Sequence, residues 1–350
     1  MGRRNAALQH SVTVIDELME EQHSIVEFRE RPEWEEWFLL STARGKRPHD
    51  FAATAERPVS DITKCPFEEP RNEQNSLLVL RDAQGEWQVA AIRNIYPAVN
   101  DQPFVKSQNG IYPVMAGTGN HEVVVLRDHT TKLADLAPEN IQLLFQALIA
   151  RHISLQENSA LRFISLFENY GARAGASLTH PHCQIIAIPI VPDHIRHRLN
   201  AMRQYFTAHQ ECSICAIIRT EQETKTRIVA ENDRFIVLCP FASRIPFELI
   251  IYPKHHTPHF TASMAEDIAA VADMVKTALH KLDVALNDPD YNMLINLLPI
   301  HTDDEGSDYF HWSISILPKT AIWAGFELET DIDINTINPD DAAAALRAAQ

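Results

Sequence analysis

The chain has 350 residues, 45% of them hydrophobic and 22% charged. At roughly 150 residues per domain, that length predicts two domains with ample material for a large core. The formal net charge of −16, from 47 acidic and 31 basic residues, repels polyanions and excludes a general nucleic-acid binder, yet a few local donors can still hold a small phosphorylated ligand.

No run reaches about 18 consecutive apolar residues, so no membrane span is expected. The five cysteines are an odd number, and Arg3 and Arg4 are followed by no continuous apolar core of the signal-sequence kind. Both features lead to an expectation of a reducing cytoplasm, with thiols free or on metal. Histidine is in excess, at 17 against ten glycines. That excess directs attention to metal ligands and to proton or phosphoryl chemistry.

In chain order, the mixed, charged stretch from Gln9 to Glu30 predicts a surface helix. Cys65-Pro-Phe-Glu68 precedes two strand-like runs, Ser76 to Arg81 and Trp87 to Arg93. Glu122-Val-Val-Val-Leu leads to His129. Asn140 to Leu155 is helical, with Ile141, Leu144, Leu148 and His152 along one side. Leu161 to Phe167 is apolar, and His180-Pro-His-Cys-Gln184 opens the run Ile185 to Ile190. The second half then runs in the same order. Cys212-Ser-Ile-Cys215 is followed by the strand-like Arg234 to Cys239, and Phe247 to His256 is a strand ending in histidines. Met264 to Leu286 has helical period, with Ile268, Val271, Ala272, Val275, Leu279 and Leu282 near one face. Asn287 to Asp290 is a turn, Asn292 to Leu297 an apolar run, and Phe310 to Pro318 alternates as a strand with His311 near its start. His129 to His180 spans 51 residues, and His256 to His311 spans 55. The chain therefore reads as a duplicated βαβ-type module, residues 1–195 and 196–350. Two helices for about ten strand-like runs predict an α+β fold with mainly antiparallel sheet.

Cys212, Cys215, His256 and His311 form a C-x-x-C…H…H set. Two thiolates on a turn reach a zinc at ~2.3 Å, and two imidazoles complete a tetrahedron. Four protein ligands leave no open position, so such a zinc is structural. A chance cysteine pair with ordinary surface histidines is the bland alternative. His255 competes with His256, because the two point oppositely if the strand continues, and His259 and His301 are further options. The equivalent set in the first half is Cys65, Glu68, His129 and His180, where a carboxylate stands for the second thiol. Cys183 and Cys239 read as buried strand residues.

The richest stretch is Asn169 to Gln184. Gly171 and Gly175 permit close backbone approach to a ligand. Asn169, Ser177 and Gln184 offer neutral donors suited to a phosphate. If His180 is committed to metal, His182 is held beside it and is free to react. Histidine is a competent nucleophile toward an activated phosphoryl group. The position after His311-Trp in the second half is Ser313, so one reactive centre per chain is expected. A second structural histidine is the alternative.

These motifs resemble the galactose-1-phosphate uridylyltransferase family of the histidine-triad superfamily, and most of all its branch containing ADP-glucose phosphorylase. The resemblance runs from about Trp37 to Arg347. It includes Ala43-Arg-Gly-Lys-Arg-Pro-His-Asp-Phe51, Cys65-Pro-Phe, Asn94-Ile-Tyr-Pro-Ala98, His121-Glu-Val-Val-Val, Ala174 to Gln184, Pro253-Lys-His-His256, His311-Trp and Ala324-Gly-Phe-Glu327. It implies a duplicated histidine-triad-like fold and a ping-pong reaction in which His182 takes the nucleotidyl group from a nucleotide sugar and a hexose 1-phosphate accepts it. It further implies that Arg44, Arg47 and Asn94 lie near the nucleotide, that Asn169, Gly175, Ser177 and Gln184 surround the phosphates, and that Glu327 contacts sugar hydroxyls. Zinc is implied on both ligand sets, and the family's habit implies a homodimer. Three departures matter, the first for the zinc site of the first half and the other two for the nucleobase and the sugar. Glu68 stands where a cysteine is expected, Ile95 follows Asn94 where uridylyltransferases tend to carry an acidic residue, and Glu329 to Asn335 replaces a glycine-bearing segment. Two rival functions are a phosphorylase or hydrolase using the same histidine, and a zinc-stabilised nucleotide-binding protein without turnover.

Overall fold

The computed structural model describes residues 25–42, 62–68, 76–301 and 306–349. The first half contributes β1 (Val26–Arg31), β2 (Glu36–Ser41), β3 (Ser76–Arg81), β4 (Trp87–Arg93), β5 (Lys106–Asn109), β6 (Tyr112–Met115), β7 (Asn120–Leu126), α1 (Pro138–Gln156), β8 (Phe163–Tyr170) and β9 (His182–Ile188). Then come α2 (Asp193–His209), α3 (Ser213–Thr224), β10 (Ile228–Glu231), β11 (Phe235–Leu238), β12 (Leu249–Pro253), α4 (Phe260–Leu286), β13 (Tyr291–Asn296), β14 (Ser313–Pro318), α5 (Gly325–Thr330), β15 (Ile334–Asn335) and α6 (Pro339–Ala348). Among the described residues no helix is long and apolar enough to cross a membrane.

Ten strands form one sheet in the order β10-β11-β12-β14-β13-β8-β9-β7-β4-β3, every pair antiparallel. From each outer edge inward, the strands follow first, second, third, fifth, fourth in chain order. The two halves meet at the β8–β13 seam, where Asn169 faces Asn292 and Tyr170 faces Tyr291. The fold is thus the expected α+β, duplicated and histidine-triad-like.

The helical runs form where apolar residues recur every three or four positions. Pro138 opens α1, its fixed φ suiting a first helical turn. Ile141, Leu144, Phe145 and Leu148 of α1 are buried, as are Val271, Val275, Leu279 and Leu282 of α4. The two helices pack on each other and on one sheet face. One buried cluster runs through both halves, and each fully buried aliphatic side chain contributes roughly 1.5–3 kcal/mol. The divide expected after residue 195 falls inside α2.

Alternation along β9 separates the two faces. Cys183, Ile185 and Ala187 are buried toward the helices, while Ile186 and Ile188 line a cavity of about 990 Å3 on the opposite face. His182 and Gln184 share that second face by the period of two. A small sheet, β1-β2-β15, also borders the cavity through Trp34, Trp37 and Phe38. Arg31 anchors it. This side chain is 1% exposed, packs over the Trp34 ring at 4.3 Å and pairs with Glu248 at 3.0 Å. The surface helix expected up to Glu30 ends differently, because Val26–Arg31 is a strand paired with β2; residues before 25 lie outside the described residues.

Candidate functional site

The first-half cluster is assembled from three loops at one end of the sheet. Cys65 and Glu68 lie just after a 3-10 turn, His129 follows β7, and His180 stands two residues before β9. Their ligand atoms lie within 4.8 Å of one another. His129 Nδ1 and His180 Nδ1 are 3.0 Å apart. Cys65 Sγ is 3.5 Å and Glu68 Oε1 3.4 Å from His180 Nδ1, and Glu68 also contacts His129. His180 Nε2–H donates to the Leu126 carbonyl at 2.5 Å, which leaves its Nδ1 lone pair turned into the cluster. Glu68 Oε1 is buried and accepts no hydrogen bond. Ligand atoms of a thiol, a carboxylate and two imidazoles converging in this way are what a divalent cation satisfies, and this donor set fits zinc.

The second-half cluster repeats the plan with two thiols. Cys212 caps α3 and Cys215 lies in its first turn. Cys215 Sγ is 3.5 Å from His256 Nδ1 and 3.7 Å from His311 Nδ1. His311 Nε2–H donates to the Pro253 carbonyl at 3.0 Å and His256 Nε2–H to the Ser307 carbonyl at 2.8 Å. The hydrogen bond from Cys215, with His256 and His311 behind it, holds the Cys212 thiol well below the usual range. All four ligand atoms converge within 4.8 Å, so His256 rather than His255 completes the set. His259 and His301 instead line a separate cavity of about 410 Å3 beside His152. Zinc held by these four donors would tie α3 to the ends of β12 and β14 and keep no position open for substrate.

His182 is the first residue of β9 and is 8% exposed. Its Nδ1–H donates to the His180 carbonyl at 2.8 Å, so Nε2 carries the lone pair. Burial lowers its pKa and keeps the ring neutral. The Phe67 ring lies 5.3 Å from the His182 ring and 5.6 Å from that of His180. The chain from the cluster's Cys-Pro-Phe turn therefore walls the His182 imidazole.

Before β9 the chain makes a tight turn. Gly171 (φ 84°) and Gly175 (φ 91°) bracket a 3-10 turn at Ala172–Ala174 in left-handed conformations that a side chain would strain. Asn169 sits at the end of β8, next along from Glu168, which faces Cys183 of β9. Ser177 is exposed on the same segment.

Asn94 and Gln184, distant in sequence, are brought together by a residue that sequence reasoning did not assign. His121 Nδ1 accepts the Ala98 N–H at 3.0 Å, so its Nε2–H donates to Gln184 Oε1 at 3.0 Å. Asn94 Nδ2 lies 3.1 Å from the same nitrogen. Gln184 is thereby oriented, its amide hydrogens left for another acceptor. The available signal was His121 itself, a histidine opening a strand two places from Val123, which pairs with Gln184.

Glu327 is not joined to this group. Its carboxylate accepts the Ala324 N–H at 3.0 Å, and it lines the 990 Å3 cavity with Trp37 and Trp323. Among the described residues, no hydrogen bond or ion pair links it to His182. Arg44 and Arg47 lie outside the described residues. Cys183 and Cys239 are buried, as read from the sequence.

A duplicated sheet of this order, with a Cys/His cluster at the end of each half and one tethered histidine, defines a histidine-triad-like architecture. Comparison with known proteins is specific. A family described as "Domain of unknown function (DUF4921)" matches residues 86–348. The chain is 32% identical to ADP-glucose phosphorylase of Arabidopsis thaliana, covering 92% of each chain. It is 30% identical to galactose-1-phosphate uridylyltransferase of Thermotoga maritima, covering 92% of this chain and 98% of that one. A solved Arabidopsis thaliana ADP-glucose phosphorylase with bound ADP-glucose superposes with a TM-score of 0.80 at 30% identity, covering 93% of this chain and 100% of that one. The chain belongs to the galactose-1-phosphate uridylyltransferase family, which includes nucleotidyltransferases and nucleotide-sugar phosphorylases.

Proposed function

We propose that the protein transfers a nucleotidyl group through His182, from a nucleotide sugar to a hexose 1-phosphate. The observation that carries this reading is the tether of His182 Nδ1–H to the His180 carbonyl, which presents Nε2 as a nucleophile. In the first half-reaction Nε2 attacks the α-phosphorus. The P–N bond forms as the P–O bond to the departing sugar 1-phosphate breaks. In the second, a phosphate oxygen of the acceptor attacks the phosphorus, the P–N bond breaks, and neutral His182 is restored. Asn169, Ser177, Gln184 and the backbone at Gly175 would donate to the phosphate oxygens as charge builds on them; Asn94, Arg44 and Arg47 would lie toward the nucleotide and Glu327 toward the sugar. We assign zinc to both clusters in structural roles.

Phosphate as acceptor is the second reading, favoured by the 32% identity to an ADP-glucose phosphorylase. We also propose a cytoplasmic homodimer. Trp37, Ile322, Trp323 and Leu328, all exposed, are apolar surface that a second copy would cover. The division into two modules, at the connection carrying α2, is part of the same proposal.

The test is a panel of nucleotide sugars, UDP- and ADP-linked, incubated with the protein and examined by mass spectrometry for a phosphoramidate on His182. Hexose 1-phosphate and inorganic phosphate are then offered separately to the isolated adduct. Discharge by the sugar phosphate supports the first reading and discharge by phosphate the second. Sugar-phosphate exchange at full rate in His182→Ala would overturn both.

A further inference from the structure

Asn169 reaches the candidate site from the first half, but the side chain that holds it comes from the second. Asn292 stands opposite it across the seam. Asn292 Nδ2 donates to Asn169 Oδ1 at 2.7 Å and to the Ala174 carbonyl at 2.9 Å. Both amide hydrogens of Asn292 are thereby spent on the first half. Two residues earlier on the same segment, Asp290 Oδ2 accepts the Arg173 N–H at 2.7 Å. Asp290 and Asn292 thus grip successive residues of the glycine-bracketed turn. The strands themselves are kept in register by the Tyr170 and Tyr291 rings, stacked 5.0 Å apart.

The chemical consequence lies in the Asn169 amide. Its oxygen and nitrogen ends are nearly the same shape, and only partners decide which way round it sits. A donor fixed at its Oδ1 forces Nδ2 to the other side. Gly175 lies there, where an added Cβ would come within 3.8 Å of that nitrogen. In this orientation Asn169 offers hydrogens to an anion; reversed, it would offer an oxygen lone pair and repel one.

We infer that Asn292 and Asp290 are positioning residues of the nucleotidyl-transfer site: they fix the amide of Asn169 donor-outward and shape the Gly171–Ser177 turn for the substrate phosphates. This rests on the proposed transfer through His182. It makes the second half a working part of the site, since Asn169 and the turn after it are held from across the seam.

The test uses the full chain and single-turnover formation of the His182 adduct, measured per folded protein. Asn292→Asp keeps size and shape but has no hydrogen to give, so Asn169 turns its NH2 toward residue 292. Adduct formation is expected to slow on the order of tenfold to a hundredfold, the scale set by small misplacement of a reacting group. In an Asn169→Ala background the same change should cost several-fold less than in wild type, because only the Asn292 bond to the Ala174 carbonyl is then left to lose. Asp290→Asn retains an acceptor oxygen and should stay within about twofold of wild type, whereas Asp290→Ala should be clearly slower. A full-rate Asn292→Asp protein, or additive losses with Asn169→Ala, would overturn the positioning role. Wild type forming no adduct would remove the transfer reading, and this role with it.

Discussion

The two Cys/His clusters share a scaffold and differ in what stands beside it. In each half a histidine two residues before the fifth strand donates its Nε2–H to the last carbonyl of the third strand, Leu126 in one half and Pro253 in the other. The fifth strand then opens with His182 in the first half and Ser313 in the second. In the second half Asn296 faces Ser313, and its Nδ2 donates to the hydroxyls of Ser313 and Ser315 at 2.9 Å each. In the first half Asn169 is held from outside by Asn292 and faces a glycine. The same position is closed by short hydroxyls in one half and lies against a glycine in the other. The clusters supply similar frames, and the residue that opens the neighbouring strand, His182 or Ser313, is where the two halves part.

The largest effect should come from breaking that asymmetry at His182. His182→Ala is expected to lose the covalent adduct and at least about 10³-fold in turnover, measured by mass spectrometry and steady-state rates. Ser313→His, the converse change, should form no adduct at residue 313. Next is the closed second set. Cys215→Ser should release one metal per chain by elemental analysis and lower the unfolding midpoint by several degrees or more, since metal affinity there is folding free energy. The first set should respond more softly. Glu68→Ala should weaken metal retention at least about tenfold, the loss seen even when a ligand's hydrogen-bond partner is removed. Glu68→Cys should tighten it, measured by chelator competition.

The smallest effects concern Glu168 and His152, buried groups that lack the ion pair other buried carboxylates have in both halves, Glu122 with Arg151 among them. Glu221 and Glu248 each meet an arginine, Arg227 and Arg31. Burial raises the Glu168 carboxyl to about 8 from an ordinary 4.5, against a weaker lowering by the hydrogen bond from Tyr291. The folded protein therefore keeps a proton that the unfolded chain has released, and stability falls as pH rises from about 4.5 to about 8. Glu168→Gln should remove that slope, so the variant gains on wild type in melts run from pH 5 to pH 8. His152 goes the other way. Burial lowers it to about 4, so the unfolded chain takes up the proton first, and stability is lost as pH falls from about 6.5 toward about 4. Neither of its ring nitrogens has a protein partner. His152→Leu should flatten this acid loss and gain about 1 kcal/mol at pH 7 in denaturant unfolding.

Much of this was legible in the sequence because the signals were local. α1 and α4 carry long apolar stripes, and seven of the eight residues in the two clusters are cysteine or histidine at similar spacings in two halves. α2 was missed because it buries only Ala201 and Met202 and so carries no long apolar stripe. α3 was missed because Cys212-Ser-Ile-Cys215 drew a metal turn over what is also a helix start with Ile214 and Ile218 buried one turn apart. β1 was read as helix because its charges hid the period of two set by Val26 and Phe28. The roles of Asn292, and of His121 although it opens a matched motif, were hidden for another reason. Each works on residues that only the sheet's strand order brings near, and no local pattern encodes an antiparallel partner 63 or 123 residues away.

The β8–β13 seam also sets a clock on biosynthesis. β8 leaves the ribosome long before its neighbour, since Asn169 waits 123 residues for Asn292. At about 5–20 residues per second that interval is roughly 6–25 s. For that time the nascent first half exposes one unpaired strand edge beside Phe163 and Phe167, the kind of edge that recruits other chains. Growth at low temperature, which slows translation, would lengthen the exposure, and a helper that shields nascent strand edges would act in that window.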